Sequence, residues 1–90
     1  MTIRHASDQD LDHLDEVLVA LRAIPGLRER RRGNFSKGSK AFLHFHEDTG
    51  RYYADVRLTD RFERMPVTSR DERAMFLKRV RAAAADVQSV

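Results

Sequence analysis

The chain contains no cysteine. That excludes a disulfide framework and any thiolate-held metal, leaves burial or a partner chain to stabilise the fold, and fits a reducing compartment. No apolar run approaches the roughly 20 residues that span a bilayer. The opening Met1-Thr2-Ile3-Arg4-His5-Ala6-Ser7 lacks the apolar core of a signal peptide. The expectation is therefore a cytoplasmic protein without a membrane partner. Repeats are absent, and low complexity is confined to the alanines at 82–85. Aromatic residues make up only 8% of the chain, enough for a few large core members, and the apolar content of 41% is ordinary for a globular protein. Ninety residues allow one domain, 1–90, with a thin core and modest stability.

What charge there is lies unevenly. The net charge is +3, yet between Arg28 and Lys40 six bases face the single acid Glu29. Arg30, Arg31, Arg32, Lys37 and Lys40 are the candidate anion-binding set, able to attract phosphate by Coulomb steering and counterion release. Against this, the block is also what a solvated strand and loop look like, and alternation along a strand would split three consecutive arginines between two faces.

Ser7 followed by acids at Asp8 and Asp10 reads as a helix start. Leu11, Leu14, Val17, Leu18 and Leu21 then recur at helical spacing, which predicts one helix from about Asp8 to Ala23 that Pro25-Gly26 stops. Residues 27–32 suit a strand, and the turn formers of 33–39 suit a loop. Residues 40–47 and 51–58 read as a hairpin around Asp48-Thr49-Gly50, and 62–67 as a shorter strand whose Pro66 belongs at an edge or end. Ser69-Arg70-Asp71-Glu72 matches a capping box. It opens a second helix with Phe76, Leu77, Val80, Ala83, Ala84 and Val87 as its apolar stripe and a basic outer side. The predicted fold is α+β, a two-layer sandwich in which an N-terminal and a C-terminal helix cover one face of an antiparallel meander of about four strands. The other sheet face stays open for water, a ligand or a second copy of the chain.

Alternation divides the central hairpin. Ala41, Leu43, Phe45 and Glu47 form one set, with Tyr52, Ala54, Val56 and Leu58 as their apolar counterpart, which a two- or four-residue turn joins on the helix side. Pairing Leu43 with Ala54 and Phe45 with Tyr52 then puts Phe42 near Asp55. The open face carries Phe42, His44, His46, Tyr53, Asp55 and Arg57. A three-residue turn with a glycine bulge would instead move the histidines beside Tyr52, Ala54 and Val56. Patterning favours the first register, and the Asp-Thr-Gly turn chemistry suits the second.

His44 and His46, two residues apart on a strand, share a face, and with Asp55 they make a candidate set for a divalent metal, because imidazole and carboxylate suit zinc, nickel or iron. Either histidine can also serve as a general base tuned by Asp55 or Glu47, although no nucleophile or oxyanion motif accompanies it. His5 and His13 receive no role. Gly33 to Lys40 superficially matches a phosphate loop, but Ser39 precedes Lys40 and a strand follows where the loop requires a helix. Phe35, Phe42 and Tyr53 are the aromatic platforms a nucleic-acid binder would use with the basic segment, without a recognition-helix or RNA-sheet signature beside them.

Ile24-Pro25-Gly26-Leu27-Arg28-Glu29-Arg30, His44-Phe45-His46 and Ala54-Asp55-Val56 together resemble the bacterial luciferase-family domain of unknown function over roughly residues 14–67. The family's later His-His and Trp region has no counterpart in this chain. The resemblance singles out His44, His46 and Asp55 and implies no light-emitting reaction. A looser similarity of architecture links the chain to the MmcQ/YjbR-like proteins. These readings converge on a small binding or interaction domain that uses its open sheet face, with a homodimer or an anionic ligand as candidate partners and no cofactor indicated. A His- or metal-dependent enzyme at His44, His46 and Asp55 is the first alternative. An accessory nucleic-acid binder through residues 28–40 is the second.

Overall fold

Both helix starts expected from the sequence, at Ser7 and Ser69, form as reciprocal caps. Asp10 N donates to Ser7 Oγ at 3.2 Å while Ser7 N donates to Asp10 Oδ2 at 2.9 Å. Glu72 N likewise donates to Ser69 Oγ at 3.1 Å, and Ser69 N donates to Glu72 Oε1 at 2.9 Å. Each box satisfies backbone donors that the first helical turn leaves without partners. The computed structural model describes residues 3–86, so Val87 of the predicted stripe lies outside the described residues. The elements are β1 (Arg4–His5), α1 (Asp8–His13), α2 (Asp15–Arg22), β2 (Leu27–Arg31), β3 (Asn34–Lys37), β4 (Lys40–Asp48), β5 (Arg51–Arg57), β6 (Phe62–Pro66) and α3 (Arg70–Asp86). Among the described residues no helix is long and apolar enough to cross a membrane.

The α+β class and the antiparallel meander with helices on one face are as the sequence predicts. Strand order is β2-β3-β4-β5-β6, and β1 pairs with β4. Because β5 takes β4 residues 43–48 on one side, β3 (at 40–43) and β1 (at 46–47) lie end to end along the other. Leu14, Leu18, Leu21, Phe42, Leu43, Val56, Phe76 and Val80 are among the fully buried side chains between the layers. Phe45 meets Phe76 edge-on at 6.2 Å.

Three expectations are corrected. The predicted loop 33–39 contains a strand, because Gly33 at φ 80° and Gly38 at φ 64° let two tight turns bracket β3, so among the described residues the meander has five strands and β1 adds a sixth. The single N-terminal helix is two. Leu14 leaves helical geometry at φ −104°, ψ 15° and separates α1 from α2, while Leu11, Leu14, Val17, Leu18 and Leu21 are all buried as their spacing predicts. In the hairpin, the face assignment holds from Leu43 onward, Ala41 before the bulge at Phe42 lies with Ser36 on the open face, and the pairing slides by two residues. Thr49 (φ 52°) and Gly50 (φ 81°) form a two-residue turn with both residues left-handed, the geometry that matches strand twist. Leu43 therefore pairs with Val56, Phe45 with Ala54, and His44 with Asp55.

Candidate functional site

Alternation and register assemble the site on the face away from the helices. His44 lies opposite Asp55, His46 opposite Tyr53, and Asp55 opposite Arg64 on β6. His5 of β1 lies opposite His46 from the other side. Asp55 is the hub. Arg64 Nε donates to its Oδ1 at 2.7 Å and Arg64 Nη2 to its Oδ2 at 2.9 Å, a two-pronged ion pair. His46 Nε2 lies 3.0 Å and His44 Nε2 3.5 Å from the same Oδ2. The ligating atoms of His44, His46 and Asp55 all fall within 4.8 Å of one another.

His46 is the unusual member. Its side chain is only 10% exposed, yet neither ring nitrogen has a hydrogen-bond partner. The 3.0 Å approach to Asp55 is close enough for ion pairing but lies outside hydrogen-bond geometry. Buried polar atoms are normally satisfied, and leaving one without a partner costs about 1–3 kcal/mol. Electrostatics around it are set by Arg64, whose hydrogen bonds are the largest influence holding the Asp55 carboxyl below its ordinary range, against the effect of burial. Burial, reinforced by the neighbouring His46, pushes His44 below the usual imidazole value, so its ring favours the neutral form.

Of the predicted open-face residues, His44, His46, Tyr53, Asp55 and Arg57 share the face. Arg57 is committed elsewhere: its Nε donates to Ala41 O at 3.3 Å, its Nη1 to Asp60 O at 2.9 Å, and its guanidinium stacks 4.6 Å over Phe62. Phe42 does not belong there. Register shifts between Phe35↔Leu43 and Ser36↔Ala41 leave Phe42 as the extra residue of a β-bulge, which turns it into the core at 1% exposure. Burial of Phe35, at 2% exposure, and of Phe42 also removes two of the three supposed base-stacking platforms.

The basic block is likewise dispersed. Arg32 pairs with Asp12 at 2.7 Å and Asp8 at 3.3 Å on α1, and Lys37 Nζ donates to Ala83 O of α3 at 2.7 Å on the helix side. Lys40 is the register partner of Lys37 on that side. Arg30 and Arg31 line a depression beside His44. The structure also brings in residues that sequence reasoning passed over. The His5 ring is 4.7 Å from that of His46 and 5.8 Å from that of His44, and a two-residue strand carries no alternation to reveal it. Arg64 had a usable signal, because alternation within Phe62-Glu63-Arg64-Met65 separates it from the buried Met65. No family model, curated protein or solved structure matches the chain.

Proposed function

We propose that the protein is a small binding domain whose open sheet face holds a divalent transition metal of the zinc type through His44 Nε2, His46 Nε2 and Asp55 Oδ2. The observation that carries this reading is the buried His46 ring with no hydrogen-bond partner at either nitrogen, beside a carboxylate and a second imidazole. Tetrahedral donors about 2.1 Å from a zinc ion lie roughly 3.4 Å apart. The distances of 3.0 and 3.5 Å from the imidazoles to Asp55 are close to that, and with the whole set spread within 4.8 Å the side chains would close further around an ion. Arg64 holds the carboxylate ionised and oriented, the task that outer hydrogen-bonding partners perform around protein-bound metals. Three protein donors leave a fourth position for water or a ligand.

Titration with zinc, and separately with nickel, followed by calorimetry and by imidazole and amide NMR tests this. One saturable site is expected, with shifts centred on His44, His46 and Asp55, and it is lost in the His44→Ala, His46→Ala double variant. Equal metal uptake by that folded double variant would refute the assignment.

A further inference from the structure

A second cluster on the same face was discounted in the sequence because strict alternation would point Arg30 and Arg31 in opposite directions. The backbone breaks that alternation. Glu29 pairs with Phe35 and Arg31 with Asn34, so Arg30 is the extra residue of a bulge in β2. Both arginines consequently line one depression of about 330 Å³, together with Asn34, Ser36, Ser39 and His44. Its size is at the lower end of small-molecule pockets.

The lining is chemically one-sided. It contains guanidinium, hydroxyl, amide and imidazole groups and no carboxylate. Acids that could neutralise it are already committed: Glu29 receives Arg22 Nε at 2.6 Å, and Asp8 and Asp12 receive Arg32. Arg30 is aimed by Ser36, which is only 4% exposed and whose Oγ accepts from Arg30 Nε at 2.9 Å. The remaining fork of Arg30 makes only a long contact of 3.5 Å, from Nη2 to Gly38 O. Arg31 makes no hydrogen bond or ion pair among the described residues. A positioned guanidinium and an uncommitted one, with hydroxyls between them, match the tetrahedral oxygens of a phosphate.

We propose that this depression is the binding subsite for the phosphate group of a small ligand, placed so that the ligand reaches from Arg30 and Arg31 past His44 toward the metal position. The subsite itself stands on the lining residues; only the metal-facing end of the ligand rests on the function proposed above. Arg32 and Lys37 are drawn away to the helices, which shortens the basic stretch on this face and favours a compact phosphate over a nucleic-acid backbone.

The test is titration of inorganic phosphate, and then of phenyl phosphate, into protein stripped with EDTA and into zinc-loaded protein, followed by amide NMR. Saturable shifts at Asn34, Ser36 and Ser39 are expected in the stripped protein, with tighter binding once zinc is present. Arg31→Gln should weaken binding about tenfold and the Arg30→Gln, Arg31→Gln double variant further, as loss of charge-assisted hydrogen bonds implies. Arg31→Gln is informative even if the double variant fails to fold, because Arg31 has no partner in the fold to lose. Tighter binding of phenyl phosphate supports an organic phosphate ester as the ligand, and equal binding supports free phosphate. Binding to the stripped protein without any zinc effect would preserve the subsite and overturn the proposed reach of the ligand to the metal position. No saturable shift in stripped protein, or binding that Arg31→Gln leaves unchanged, would overturn the proposal.

Discussion

His46→Leu should make the metal-free protein more stable and the zinc-loaded protein less stable than the parent. In the metal-free fold His46 buries two ring nitrogens without a hydrogen bond, a situation worth about 1–3 kcal/mol. Its Nε2 retains some attraction to Asp55 at 3.0 Å, so the lower end of about 1 kcal/mol applies. Asp55 keeps both bonds from Arg64 in the variant, so no new charge is left alone. A gain of this size corresponds to a rise of roughly 4–8 °C in Tm for a domain this small. Zinc at about a hundredfold excess over its Kd adds about 2.7 kcal/mol to the parent alone. The order of stabilities then reverses, with the parent ahead by roughly 1.7 kcal/mol. Urea unfolding followed by circular dichroism, in EDTA and in zinc, measures both gaps. A variant less stable than the parent in EDTA, or stabilised by zinc to the same degree, would refute the argument.

Phe42→Ala should cost about 3–5 kcal/mol in urea unfolding, the loss expected for a fully buried phenylalanine and far more than an open-face aromatic would show. Gly33→Ala should cost about 2–3 kcal/mol, because a Cβ there meets Leu11 Cδ2 at 2.8 Å in addition to the positive φ. Gly38→Ala, with a positive φ but open space, should cost about 1 kcal/mol; equal losses would contradict the packing of the β2–β3 turn against α1. Glu29 is held below the ordinary glutamate range first by its hydrogen bond from Arg22. Its contribution is therefore complete above the unfolded-state value and is lost as pH falls through the folded one. The stability gap between parent and Glu29→Gln should accordingly be open at neutral pH and close in acid unfolding measurements.

Periodicity made much of the fold legible. Leu11 to Leu21 and Phe76 to Ala84 fix the helix faces, the Ser7 cap and the Ser69–Glu72 capping box fix the starts, and the alternation through 43–57 assigns both sheet faces correctly, whereas Ala41 and Phe42 beside the bulge fall on the sides opposite to those expected. What escaped is what alternation cannot encode. Two bulges, at Arg30 and Phe42, each add a residue that a period of two has no place for, and they reverse the apparent side of one aromatic and one arginine. The strand between Gly33 and Gly38 is hidden because its turn residues outnumber its apolar ones. Hairpin register depends on the turn, and Thr49 at φ 52° gives little warning of a left-handed pair. The His44, His46 and Asp55 group was visible as a pattern, whereas the contributions of His5 and Arg64 come from strand neighbours that only the sheet order supplies.

All three proposed metal donors belong to the single β4–β5 hairpin, whose ends are joined by a two-residue turn. Closing so short a loop costs little entropy and happens within microseconds, long before β1 can reach β4 across some 40 intervening residues. An ion held by that hairpin is consequently available to the folding transition state as well as to the finished protein. The proposed ion would then speed folding and leave the unfolding rate little changed, as for any interaction already formed at the barrier, which stopped-flow refolding with and without zinc measures. On this topology the proposed ion would act as a nucleus for the sheet, with the N-terminal strand and His5 joining β4 over a hairpin that is already paired.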